Sequence, residues 1–262
     1  MTDETSKKRH RGIYLLPNLF TTAALFAGFF GIVAAMNGRF GAAAVAIFIA
    51  MVLDGLDGRV ARMTNTQSAF GAQYDSLADM ISFGLAPALI IYLWTLQDLG
   101  KLGWLAAFIF VAGAALRLAR FNTQLAVADK RFFQGLASPA AAAVLVGLVW
   151  VGQRYGWDAD ALGWFAFALT VIIGVLMVSN VRYYSFKDLD LKGKVPFFAL
   201  LLVILIFVLI SIDPPLVLFG AAMLYALSGP VVTVWMLLRR RRQIQAGEHQ
   251  ATEGTEDTEK KQ

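Results

Sequence analysis

The sequence contains no cysteine, which removes a disulfide framework, a thiolate metal site and a cysteine nucleophile at once. Histidine is nearly missing too. The only two, His10 and His249, lie in polar end segments and argue against a Ser-His-Asp triad or a histidine metal cluster. Glutamate is confined to the same ends, at Glu4, Glu248, Glu253, Glu256 and Glu259. Acid–base or metal chemistry in the body of the chain therefore falls to aspartate. Charge is scarce as well: 16% of the 262 residues are Asp, Glu, Lys or Arg, against about 25% in a soluble domain. What fills the chain instead is apolar, 58% of it, at a mean hydropathy of +0.62.

From Tyr14 to Leu238 the apolar residues run in blocks long enough to cross a ~30 Å hydrocarbon core as helices. The expected fold is all-α, a polytopic membrane helix bundle of about eight transmembrane helices near 14–36, 41–62, 70–96, 102–121, 136–153, 161–180, 196–212 and 215–238. The division within 196–238 rests on Asp213-Pro214-Pro215 alone. Three parts follow: a basic N-terminal segment over 1–13, a transmembrane domain over 14–238, and a basic then polar tail over 239–262. The tail is rich in Glu, Thr, Gln and Lys and is expected to be disordered. The first apolar segment is too long for a cleaved signal peptide, and no internal repeat stands out.

Charge orients the bundle. With the N-terminus in the cytoplasm, 20 of the 23 basic residues fall on the cytoplasmic side, and only Arg39, Lys101 and Arg154 fall opposite. That asymmetry is the positive-inside pattern, and it places both termini in the cytoplasm of a multi-pass protein of the cell membrane. The pI near 9.5 thus reports topology and not a nucleic-acid partner.

Between Tyr14 and Gln97 the only acidic residues are Asp54, Asp57, Asp75 and Asp79. Carboxylates within or beside a membrane span cost several kcal/mol unless paired or ligated, so they mark function. Asp54 and Asp57 are i,i+3 and Asp75 and Asp79 are i,i+4, so each pair projects from one helix face. The two helices are consecutive and antiparallel, and the pairs can face one another. Four converging carboxylates suit one or two hard divalent cations. Two such ions about 4 Å apart suit displacement at phosphorus. The plainer reading pairs these aspartates with Arg59, Arg62 or helix N-termini at the membrane boundary.

The stretch Asp54-Gly55-Leu56-Asp57-Gly58-Arg59-Val60-Ala61-Arg62, then Gly71, Asp75 and Asp79, resembles the signature of the CDP-alcohol phosphatidyltransferase family, D-x-x-D-G-x-x-A-R-x8-G-x3-D-x3-D. All eight fixed positions match over 26 residues. The resemblance implies a core of six helices, usually a homodimer, with the active site open to the cytoplasm. It also implies two divalent metal ions, Mg2+ or Mn2+, held by Asp54, Asp57, Asp75 and Asp79, with Asp79 the base that takes the acceptor's proton. Gly58 would let the backbone approach CDP-diacylglycerol, Ala61 would share that contact surface, and Arg62 would meet the pyrophosphate as a planar multi-donor cation. Gly71 and Ser68 would lie beside the nucleotide. Asn18 and Thr21 correspond to a polar patch that touches it in related enzymes, or else cap a helix at the interface.

Three segments bear on the acceptor alcohol. Arg11 to Asn18, Leu116-Arg117-Leu118-Ala119-Arg120-Phe121-Asn122 and Phe133-Gln134-Gly135-Leu136-Ala137-Ser138-Pro139 are similar to members of the family that use L-serine, with Ala137 in place of a proline. A carboxylate-bearing acceptor needs a cation, and Arg117 and Arg120 could supply one, or else snorkel to lipid phosphates. Asn122 could orient the amine or cap its helix. The implied partners are CDP-diacylglycerol, L-serine and membrane lipid. Other readings are the same transfer to glycerol 3-phosphate or an inositol phosphate, and an Asp-lined cation transporter. A transporter would place its acids near the midplane and reachable from both faces. A third reading is a scaffold held to anionic lipid by Arg239 to Arg242.

Overall fold

In hydrocarbon a backbone has no water to bond, so an apolar chain must satisfy its N–H and C=O groups internally, and the helix does so. A computed structural model of the protein describes residues 15–64, 66, 68–124, 132–184 and 197–235. The expected end segments 1–13 and 239–262, with Arg239 to Arg242, lie outside the described residues.

Helix α1 (Leu15–Met36) and helix α2 (Phe40–Thr64) form the most extensive helix pair. Their seam is small: Ala24, Ala27, Ala34 and Ala35 are buried, as are Ala43, Ala44, Ala46 and Ala50. Small side chains let two membrane helices approach closely where lipid gives no hydrophobic drive. The turn between them is closed by Asn37, whose Nδ2 donates to the Val33 carbonyl at 2.7 Å, and by the Arg39 N–H, which reaches the Ala34 carbonyl at 2.9 Å.

The expected helix over 70–96 is present but not uniform. Helix α3 (Ala69–Asp79) passes through a π turn (Met80–Leu85) into helix α4 (Ala86–Trp94), making one rod over Ala69–Trp94. Pro87 supplies no N–H and strains an ordinary α-helical turn. The wider turn absorbs this, with the Ala86 N–H bonded to the Ile81 carbonyl five residues back. Ser82, buried in that turn, donates to the Ala24 carbonyl of α1 at 3.2 Å. The approach is close enough that a Cβ on Gly28 would lie 2.5 Å from Ser82 Oγ.

A 3-10 turn (Leu96–Leu99) leads into helix α5 (Lys101–Gln124), then strand β1 (Phe132–Gln134), helix α6 (Ser138–Tyr155), helix α7 (Gly163–Val178), strand β2 (Arg182–Tyr184), helix α8 (Phe197–Ile212) and helix α9 (Pro214–Trp235). Helix α6 is the buried centre, with Ala141 to Val149, Val151 and Gly152 all covered. Helices α5 and α7 close tightly, since a Cβ on Gly113 would sit 2.5 Å from the Gly174 carbonyl oxygen.

Among the described residues the molecule is a helix bundle, and its only strands are β1 and β2. They pair antiparallel with Phe133 opposite Tyr183, a ribbon within connections expected to be plain loops. It runs out through Gly135, at φ +79°, whose N–H bonds to the Val181 carbonyl at 2.9 Å. Among the described residues five helical rods are long and apolar enough to cross a membrane: Pro17–Met36, Phe40–Thr64, Ala69–Trp94, Lys101–Thr123 and Pro214–Trp235. The other helices are shorter, α7 and α8 having 16 residues each. The model places helices at all eight expected positions, and these five carry the case for a multi-pass membrane protein.

Candidate active site

The far end of α2 carries Asp54 and Asp57, and the antiparallel start of α3 carries Asp75 and Asp79. The fold brings three of them into one cluster. Asp54, Asp57 and Asp75 each offer a carboxylate oxygen, and these oxygens all lie within 4.8 Å of one another. Asp79, one turn further along α3, stands against the Asp54 carboxyl and lies within electrostatic reach of the Arg117 guanidinium on α5. The resemblance gives all four to the metals and Asp79 the role of base as well, and the geometry groups the other three with Asp79 beside them.

The trio fits a divalent ion. Carboxylates gathered this closely repel one another unless a cation lies between them. One oxygen, Asp75 Oδ1, is buried with no hydrogen-bond partner, and buried acceptors are normally satisfied. An all-oxygen donor set of this kind suits Mg2+ or a similar hard ion. The boundary-pairing alternative is not what Arg62 does, because its Nε donates to the Gly58 carbonyl at 2.9 Å.

Thr21 is 4% exposed, and its hydroxyl donates to Asp57 Oδ2 at 2.8 Å. The sequence offers it for nucleotide contact or as a helix cap. In the structure it orients a candidate metal ligand, a support that usually matters nearly as much as the ligand itself. Ser68 caps α3, its Oγ accepting from the Gly71 N–H at 2.9 Å. A Cβ on Gly71 would meet Ser68 Oγ at 3.1 Å and Asn18 Oδ1 at 3.3 Å, so Asn18, Ser68 and Gly71 converge between α1 and α3. Gly58 lies on an exposed stretch of α2 where a Cβ would have no neighbour within 4 Å. Ala61, one turn on, is half-buried.

The three expected acceptor residues part company. Arg117 donates from Nη1 to Ser138 Oγ at 2.9 Å and lies within electrostatic reach of Asp79. Arg120, one turn later, turns to the other end of α7, giving Nη1 to the Val178 carbonyl at 3.0 Å and to Asn180 Oδ1 at 3.4 Å. Asn122 gives Nδ2 to Ser76 Oγ at 3.1 Å, tying α5 to α3 beside Asp75. Two contributors were missed by sequence reasoning. Ser138 sat in a quoted segment without a role, and Tyr225, on α9, belongs to no motif.

A helix bundle with clustered aspartates on two antiparallel helices is the arrangement that the resemblance of the aspartate motif implies. The CDP-alcohol phosphatidyltransferase family matches residues 14–176. The chain belongs to that family. It is 41% identical over 196 residues to CDP-diacylglycerol–serine O-phosphatidyltransferase of Helicobacter pylori, covering 75% of this chain and 83% of the relative. The enzyme of that name from Mycobacterium leprae is 30% identical over 243 residues, 91% of this chain and 75% of its own length. Archaetidylserine synthase of Methanothermobacter thermautotrophicus is 32% identical over 178 residues, 67% and 72% of the two chains.

Proposed function

We propose that the chain transfers the phosphatidyl group of CDP-diacylglycerol to the hydroxyl of L-serine, releasing CMP and forming phosphatidylserine for phospholipid synthesis. The observation that carries this is the aspartate cluster: three carboxylates from α2 and α3 offer oxygens within 4.8 Å of one another, and Asp79 stands against one of them. The names of the relatives support serine as the acceptor.

In this reading Asp54, Asp57, Asp75 and Asp79 would hold two divalent ions. When bound, Mg2+ or Mn2+ neutralises the pyrophosphate and makes phosphorus easier to attack. Asp79 takes the proton from the serine hydroxyl, whose oxygen forms a bond to the β-phosphorus while the bond to the CMP oxygen breaks. Thr21 holds Asp57 in place through that step. Gly58 leaves room for the nucleotide against α2, and Arg62, Asn18, Ser68 and Gly71 bound the same side. Arg117 receives the serine carboxylate. Positioning and charge neutralisation supply most of the catalysis.

The lipid end follows from an apolar groove of about 830 Å³ between α1 and α2, which starts at Thr22 and Leu53 beside the cluster and continues past Phe26 and Ile49 to Phe30. It receives one acyl chain. The protein lies in the cell membrane with both termini and the site on the cytoplasmic side, as the distribution of basic residues supports, and it is a homodimer, as the family resemblance implies.

The test is purified protein with CDP-diacylglycerol, Mg2+ or Mn2+, and L-serine, glycerol 3-phosphate or an inositol phosphate, scoring CMP release. CMP release that depends on L-serine is the expected result. Turnover with a phosphorylated alcohol alone would reassign the acceptor, and no turnover with any alcohol would return attention to ion transport.

A further inference from the structure

Arg117 is gripped by residues far from the aspartate signature. Its Nη1 donates to Ser138 Oγ at 2.9 Å, and Ser138, the first residue of α6, is fully buried. Tyr225 of α9 lies within electrostatic reach of the same guanidinium. That tyrosine is braced in turn. Its ring centroid lies 5.5 Å from that of Tyr183 on β2, and Tyr183, fully buried, donates its hydroxyl to the Ala226 carbonyl at 2.9 Å. The β1–β2 ribbon therefore braces α9 beside Arg117, whose guanidinium the start of α6 holds by a hydrogen bond.

A guanidinium has five donors in a rigid plane. Ser138 accepts one, so the orientation of the others is set by the frame around it. L-serine carries its carboxylate on the carbon next to the one bearing its hydroxyl. A carboxylate receptor beside Asp79 therefore suits serine's two functional groups together. Arg120 is diverted to Val178 and Asn180, so this helix sends one cation and not two towards Asp79. One fixed guanidinium matches the single charge of a carboxylate better than the double charge of a phosphate monoester.

We propose that Ser138 and Tyr225 are positioning residues that hold Arg117 as the carboxylate receptor, and so set the preference for an amino-acid alcohol over one lacking a carboxylate. This rests on the serine reading above. The last helix, outside the family match, thereby completes the acceptor site.

The experiment uses the full chain with Ser138→Ala and Tyr225→Phe, assayed against L-serine and against serinol, which keeps the hydroxyl and amine but has no carboxylate. Each variant is expected to raise KM for L-serine about tenfold, leave KM for CDP-diacylglycerol within about twofold, and lower the serine-to-serinol preference by about the same tenfold. Ser138→Thr, which keeps the acceptor oxygen, restores the wild-type preference. An unchanged preference in both variants overturns the proposal, as does a rise in both KM values with the preference kept, which marks a merely structural role. Wild-type turnover of serine in those cases leaves the proposed function standing, whereas wild-type protein inactive on serine overturns both.

Discussion

Asp79 differs from the other three aspartates in its neighbours, and neighbours decide what a carboxylate does. Asp54, Asp57 and Asp75 share a 4.8 Å cluster, whereas Asp79 stands against Asp54 with Arg117 within electrostatic reach. Asp79→Asn keeps the shape and a hydrogen-bonding group but cannot take a proton. CMP release should fall by about 10²- to 10⁴-fold, the span of general base catalysis, with the thermal unfolding midpoint in detergent unchanged. Near-normal turnover would remove the base assignment. Thr21 gives a second, separable prediction. Thr21→Val deletes the donor to Asp57 Oδ2 while keeping the volume, so the Mg2+ or Mn2+ concentration at half-maximal rate should rise about 10- to 100-fold. Thr21→Ser keeps the donor and should stay near wild type. An identical metal titration for Thr21→Val would show that Asp57 needs no support from α1.

Helices in this bundle meet through missing side chains more than through large ones. At the crossing of α5 and α7, Gly113 meets Gly174 backbone to backbone, with room for a hydrogen and none for a methyl group. Gly113→Val must separate the two helices. Overpacking of this kind costs about 1–3 kcal/mol, which should appear as a lower unfolding midpoint and a lower yield of folded protein in detergent. A wild-type midpoint would mean that the crossing is looser than drawn here. Helix positions were legible in the sequence because a bilayer demands long apolar runs, and Asn37-Gly38 and Asp213-Pro214-Pro215 interrupt them openly. The π turn at Met80–Leu85 was not, since Met-Ile-Ser-Phe-Gly-Leu reads as ordinary apolar helix and its reason lies in Pro87 and in contact with α1. The ribbon was not legible either, because three-residue strands are too short to show a period. At the site, the aspartate spacing announced the cluster, whereas the tie from Thr21 to Asp57 crosses 36 residues and exists only after α1 docks on α2.

For the molecule as a whole, the decisive feature is an exterior that water cannot cover. Leu201, Ile204, Leu205, Phe207 and Leu209 of α8 and Leu224, Leu227, Val231 and Trp235 of α9 all face outward. A helix apolar on every side is covered by protein or by lipid, and the 20-to-3 division of basic residues supports the proposed orientation in lipid. Helix α5 offers a direct test of that orientation. Its span Lys101–Thr123 is 23 residues long, or about 33 Å at 1.5 Å per residue, so its two exposed ends should lie on opposite sides of the bilayer. Because the chain has no cysteine of its own, Lys101→Cys and Thr123→Cys each introduce a single reactive thiol. A membrane-impermeant maleimide should label Lys101→Cys in right-side-out vesicles only and Thr123→Cys in inside-out vesicles only. The reverse pattern would invert the bundle and put the aspartate cluster on the outer face, away from cytosolic serine. Labelling of both from one side would mean that α5 does not cross the bilayer.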